Sequence, residues 1–252
     1  MRAERGFDAV LFDLLTALLD SWTLWNDIAG SEDSGRKWRA AYLRRTYQAG
    51  AYWPYEALVA EAATEVGLLP KLAAQLAARY GELKPWPKVS EVLGALRREG
   101  VALGVVTNCS EELGAKAIAC TGIDFDVVVT AERAGYYKPD PRPYKMALDE
   151  LNVAPGRCLF VAGSAYDLFG TSKLGLPTYW HDRVGMTLPP NAPRPTMHHH
   201  SLHPLLGWLA QPNPEGQCNS PSPFPLTPIP GGWCGAPRSW VSAAPGSTTR
   251  KC

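Results

Sequence analysis

Net charge is what this sequence most plainly lacks: 25 Lys and Arg stand against 24 Asp and Glu, a formal +1. Proteins that hold nucleic acid or a membrane surface by charge carry a basic excess, often gathered on one face, and no such excess or block of like charges occurs here. Polyanionic partners are therefore excluded from the expectation. Long apolar runs are missing too, since no stretch approaches the roughly 18 residues needed to span a bilayer. The N-terminal residues lead straight into a strand-like segment containing Asp13, without the pattern of an export signal. The six cysteines (109, 120, 158, 218, 234 and 252) form no CxxC pair, and only the last three lie where a disulfide scaffold would fit. These absences together read as a cytoplasmic protein with reduced thiols.

What is present in excess is proline, 23 residues in 252, about 9 per cent against a usual value of about 5 per cent. Nine of them fall in 211–252, which has Glu215 as its single acid and Gly, Ser and Thr between the prolines. Such a segment offers too little apolar surface to offset its ordering entropy, and a flexible tail is expected there. The remaining 210 residues are ample for one packed enzyme-sized body.

Within that body, short apolar runs at 7–12, 101–106, 125–129, 158–161 and 177–180 suit strands buried on both faces. Helical patterns separate them at 111–121 (with Ser110 as N-cap), 141–151 and 166–174. Alternation of this kind predicts a doubly wound parallel sheet, an α/β Rossmann-like core. The first strand is followed by about 65 residues with helical spacing at 36–50, 55–66 and 72–80, and Asp20 is placed to cap a helix beginning at Ser21. The expected organisation is a core of 1–20 and 86–210, a helical cap of 21–85, and the tail.

Chemistry-bearing residues collect at the carboxyl ends of these strands, the place where open α/β sheets bind ligands. They are Asp13, Thr107 with Asn108, Lys138, and Ser164 with Asp167. Four such positions in one layer form a constellation. The segments Phe12-Asp13-Leu-Leu-Thr, Val105-Val-Thr-Asn108, Tyr137-Lys-Pro-Asp-Pro-Arg-Pro-Tyr144 and Phe160-Val-Ala-Gly-Ser-Ala-Tyr-Asp167 resemble, in order, the four motifs of the haloacid dehalogenase superfamily. That resemblance implies a capped Rossmann-like hydrolase whose first-motif Asp13 is a covalent nucleophile.

The phosphatases of that superfamily resemble one another in carrying an acid two residues after the nucleophile and an Asp in the fourth motif for Mg²⁺. Leu15 and Gly163 stand at those positions here. A hard cation wants several oxygen ligands, so no metal and no cofactor are expected, with Mg²⁺ entering only in a phosphatase alternative. The chain is more similar to the metal-independent type II L-2-haloacid dehalogenases. That likeness implies Lys138 beside Asp13, Thr107 and Asn108 orienting the carboxylate or ester, and Asp167 positioning Lys138 and water. It further implies Arg39 on the substrate carboxylate, with Tyr144, Ser164 and Leu15 at the substrate. The implied substrate is a small 2-haloacid, the implied partner a short carboxylic acid, and the implied assembly, as in many relatives, a homodimer. Departures at Leu15, Ala17, Ala162 and Ser164 keep a third alternative open, a non-catalytic binding protein. Cys109 reads as a small buried residue. His198, His199, His200 and His203 read as an exposed edge segment, able to bind metal in vitro, away from the strand ends.

Overall fold

Alternate residues of each strand go to opposite faces of a sheet, and in the computed structural model, which describes residues 6–209, both faces are covered. The strands β1 (Ala9–Phe12), β2 (Ala102–Thr107), β3 (Val127–Thr130), β4 (Cys158–Ala162), β5 (Thr178–His181) and β6 (Met197–His199) form one sheet in the order β3-β2-β1-β4-β5-β6. Every pairing is parallel. Val10, Phe12, Leu103, Val105, Leu159, Val161 and Tyr179 join the core on one face. Ala9, Leu11, Val106, Val127, Val129, Cys158, Phe160 and Trp180 join that on the other. Continuous apolar runs in the sequence are the direct consequence, because neither set of side chains faces water. β6 is the element the apolar runs did not announce, since its histidines are half or fully exposed.

Chain order runs outward from β1 through β2 to β3, then returns to β4 and proceeds the other way to β5 and β6. The reversal leaves a crevice at the carboxyl ends of β1 and β4, where ligands of such sheets sit. Between β1 and β2 come α1 (Ser21–Ala29), α2 (Glu32–Ala49), α3 (Tyr55–Glu65), α4 (Lys71–Ala78) and α5 (Val89–Arg98). The Asp20 side chain accepts from the Thr23 amide at 3.0 Å and so starts α1. Inside this insert, Trp25, Trp38, Tyr42 and Tyr55 are buried in ring contact, and the Trp38 indole donates to the Val59 carbonyl at 2.8 Å. The two chain crossings into and out of the insert meet in an antiparallel bridge, Leu19 to Pro85.

After β2 come α6 (Glu111–Ala119), α7 (Ala131–Ala134), α8 (Pro141–Leu151), α9 (Leu168–Thr171) and α10 (Pro204–Leu209). α6 and α8 begin at Ser110 and Asp140, whose side chains accept from Leu113 and Arg142 amides. The helix expected over 166–174 is instead three short turns, with α9 between 3₁₀ turns at 165–167 and 172–174. Gly170, Thr171 and Ser172 are weak helix formers, and a Cβ at Gly170 would stand 2.5 Å from the Pro139 carbonyl. Contact with the loop carrying Lys138 thus decides that segment. Among the described residues no helix is long and apolar enough to cross a membrane. The expected tail, 211–252, with Cys218, Cys234 and Cys252, lies outside the described residues.

Candidate active site

Asp13 follows β1 directly, and the tight turn after it aims several donors back at its carboxylate. Oδ2 accepts from the Thr16 amide at 3.0 Å, the Ala17 amide at 3.2 Å, and the Thr16 hydroxyl. Oδ1 accepts from Lys138 Nζ at 2.8 Å. The same ammonium stands 3.0 Å from Asp167 Oδ1. All three side chains are at least nine-tenths buried, so the ion pairs are shielded from water. One carboxylate oxygen of Asp13 is thereby saturated, while the other carries a single hydrogen bond.

Electrostatics follow from that arrangement. Burial alone would raise the Asp13 carboxyl, and the charge of Lys138, with hydrogen bonds from Lys138 and Thr16, reverses this and holds it below the usual carboxylate range. Burial would lower Lys138, and Asp13 with Asp167 raise it above an ordinary lysine. Asp167 goes the other way: burial, aided by nearby Asp13, lifts it despite Lys138. Asp13 is thus the better ionised of the two acids.

The backbone of Lys138 is held by Asn108, whose amide donates to the Lys138 carbonyl at 3.0 Å while its side-chain oxygen accepts the Lys138 amide at 2.7 Å. Asn108 thus fixes the loop carrying Lys138, and it also lines the cavity beside Asp13. Thr107 is buried beside Cys109, 3.6 Å from its sulfur. Burial pushes that thiol up to about 12, leaving it protonated near neutral pH and a poor nucleophile. Tyr144, expected at the substrate, stands behind the site: its hydroxyl donates to Asp167 Oδ1 at 2.6 Å and its ring packs edge-on against Phe160. It is fully buried and does not line the cavity. The reason is its place on the first turn of α8, whose buried face meets the sheet rather than the crevice.

The cavity beside Asp13 encloses about 50 Å³ and is bounded by Leu15, Asn108, Lys138, Ser164 and Asp167 on the sheet side. Its other wall comes from the insert. Arg39, Leu43 and Tyr47 of α2 line it at a spacing of four, which places them on one helix face. Arg39 is 4% exposed. One of its terminal nitrogens donates to Ser21 Oγ at 2.8 Å, and its guanidinium lies 4.3 Å from the Trp22 ring centre. Arg39 Nε is buried and has no hydrogen-bond partner among the described residues. Burial pulls this arginine below its ordinary range, though a guanidinium stays charged in proteins. A buried guanidinium lining a cavity suits a small anion.

Ser21 was not singled out in the sequence, yet its hydroxyl bonds the Leu15 carbonyl as well as receiving Arg39. Trp22, Tyr42, Tyr47, Tyr166 and Met186 also line the cavity. For Tyr47 a signal existed in its spacing from Arg39. For Met186 none did, since it lies in an irregular segment after β5.

Magnesium fits these residues poorly. The position between the two carboxylates, where a shared cation would bind, is held by the Lys138 ammonium. A Cβ at Gly163 would lie 2.2 Å from Thr16 Oγ1 and 2.3 Å from the Ala17 nitrogen, so this backbone admits no further carboxylate there.

Comparison with known proteins agrees with the geometry. The family described as haloacid dehalogenase-like hydrolase matches residues 7–170. The chain is 30% identical over 192 residues to (S)-2-haloacid dehalogenase 1 of Pseudomonas sp. strain CBS-3, covering 70% of this chain and 85% of that one. It is 34% identical over 113 residues to (S)-2-haloacid dehalogenase 4A of Burkholderia cepacia, a match spanning 44% of this chain and about half (49%) of that relative. A solved dehalogenase with an intermediate complex superposes with a TM-score of 0.73 at 28% identity, over 83% of this chain and all of that one.

Proposed function

The chain belongs to the haloacid dehalogenase-like hydrolase family, and from that premise we propose that it hydrolyses the carbon–halogen bond of a small 2-haloacid through an ester on Asp13, without a metal. The observation that carries the reading is the Lys138 ammonium lying between Asp13 and Asp167, with Arg39 in the same cavity.

Asp13 and Asp167 contribute −2 and Lys138 and Arg39 +2. A monoanionic haloacid enters such a balance at little electrostatic cost, whereas a phosphate dianion without magnesium meets two carboxylates. Arg39 receives the substrate carboxylate on its guanidinium. Asp13 Oδ1, with one hydrogen bond against three on Oδ2, attacks the halogen-bearing carbon. The new C–O bond forms as the halide leaves with its electron pair. Water then attacks the ester carbonyl carbon, the C–O bond of the Asp13 carboxyl to the product oxygen breaks, and the 2-hydroxy acid and a proton depart with Asp13 restored. The amides of Thr16 and Ala17 stand where the carbonyl oxygen of the ester would gather charge. Asp167, kept in place by Tyr144 and Lys138, directs the water.

Halide release from chloroacetate and 2-chloropropionate in the presence of a chelator tests this reading. Release by the wild type and none by Asp13→Asn is the expected outcome. Turnover that appears only when Mg²⁺ is supplied, and then only on phosphate esters, overturns it.

A further inference from the structure

Three metal-ligating side chains meet at the open edge of the sheet, outside the cavity just described. His198 and His200 are two apart, so extended backbone at β6 sends them to the same face. Asp182 lies just past β5, and its amide donates to the His199 carbonyl at 2.9 Å, which puts its side chain among theirs. His198 Nε2 is 3.2 Å from Asp182 Oδ2 and His200 Nδ1 is 3.8 Å from it. One ligand atom from each of the three lies within 4.8 Å of the others. A tetrahedral ion with bonds of about 2.0–2.2 Å separates its ligand atoms by about 3.4 Å, and both measured separations fall close to that edge length.

We propose that Asp182, His198 and His200 form a binding site for one divalent transition-metal ion, of the zinc class, with a fourth position open to water. Two imidazoles and one carboxylate select such an ion over Mg²⁺ or Ca²⁺, which take oxygen donors in larger number. The ligands are held in place before the ion arrives. His198 stacks on Trp180 with ring centres 4.1 Å apart and planes inclined by 10°. Asp182 is buried, and its Oδ1 accepts the Met186 amide at 2.6 Å, which leaves Oδ2 for the ion. Both histidines are exposed, so an ion and its water have access from solvent. Binding makes the same demand of both rings. His198 Nε2 donates to Asp182 Oδ2 at 3.2 Å and His200 Nδ1 donates to the Asp182 carbonyl at 2.6 Å, and each releases that contact as its proton moves to the other ring nitrogen.

Occupancy ties the edge strand β6 to the segment after β5, and through the Asp182–Met186 bond to a residue of the cavity wall. The inference does not rest on the dehalogenase reading, since the site lies outside the Asp13 constellation.

Equilibrium dialysis of the full chain against Zn²⁺, with a phosphine reductant present, and the absorption spectrum with Co²⁺ test it together. The expected result is one ion per chain and a Co²⁺ spectrum with visible ligand-field bands but no thiolate charge-transfer band. The paired substitution His198→Ala with His200→Ala removes that ion while leaving circular dichroism unchanged in chelator, because both side chains are exposed. Each single substitution weakens binding at least about tenfold. Absence of bound ion in the wild type, an unchanged ion in the double variant, or a thiolate band in the Co²⁺ spectrum each overturns the proposal.

Discussion

Lys138 has two effects at one atom: it satisfies two buried carboxylates and holds one of them, Asp13, ionised, the state that the proposed attack requires. Replacement by methionine separates these. It leaves two buried acids without their cation, and breaking such a pair costs about 3–5 kcal/mol, read from urea unfolding at neutral pH. It also removes the charge that depresses Asp13, so the acid limb of the kcat/KM profile of any residual halide release moves to higher pH. An unchanged acid limb would detach Lys138 from Asp13 ionisation. In the proposed reaction Arg39→Ala would remove a charge-assisted hydrogen bond to the substrate carboxylate worth about 1.5–3 kcal/mol. The expectation is a kcat/KM lowered by about 10- to 100-fold, mostly through KM. A fall confined to kcat would place Arg39 at the leaving halide instead. At this scale Asp13, Lys138 and Asp167 were legible because a parallel sheet brings strand ends together whatever the loops do. Tyr144 was not, because spacing assigns it to the first turn of α8 but says nothing about which side of Asp167 that turn faces.

At the scale of elements, the site depends on two close approaches of backbone. The turn after β1 closes on Asp13 because Gly163, after β4, leaves room for Thr16 and Ala17. Gly163→Asp, which adds a third carboxylate near Asp13 and Asp167, forces that turn aside. We expect a loss of about 1–3 kcal/mol from overpacking, reduced halide release, and no gain of magnesium-dependent phosphatase activity. Such a gain would show that the turn yields and that Lys138 does not exclude a metal. The helical insert supplies Arg39, Leu43 and Tyr47 as a stripe on α2. Its helices were readable from spacing, but spacing does not distinguish Trp25, Trp38 and Tyr55, which pack together, from Tyr47, which lines the cavity. Periodicity finds a face, and only tertiary contact decides whether that face meets a core or a cavity. β6 and the short turns around α9 escaped for the same reason, since their backbone is set by neighbouring strands and loops rather than by local propensity.

For the whole molecule, the ionisation of buried groups sets the alkaline limit. Tyr42, Tyr55, Tyr80 and Tyr144 are raised by burial well above the ordinary 10.0, and Lys138 is raised above 10.5 by its two acids. A group whose folded pKa exceeds its unfolded value contributes stability that is complete below the unfolded value and drains away above it. Unfolding free energy is therefore expected to fall once pH passes about 10, by up to about 1.4 kcal/mol per pH unit for each group involved. Urea titrations between pH 8 and pH 11 measure this, and a flat profile would mean the tyrosines ionise equally in both states.

An ester between Asp13 and substrate is the central step of the proposed reaction, and isotope transfer reads that bond directly. In a single turnover carried out in ¹⁸O-water with enzyme in excess over 2-chloropropionate, the account predicts an unlabelled 2-hydroxy acid and one heavy oxygen on the peptide containing Asp13. A labelled product with an unlabelled Asp13 peptide would mean that water displaces the halide directly, and would contradict it.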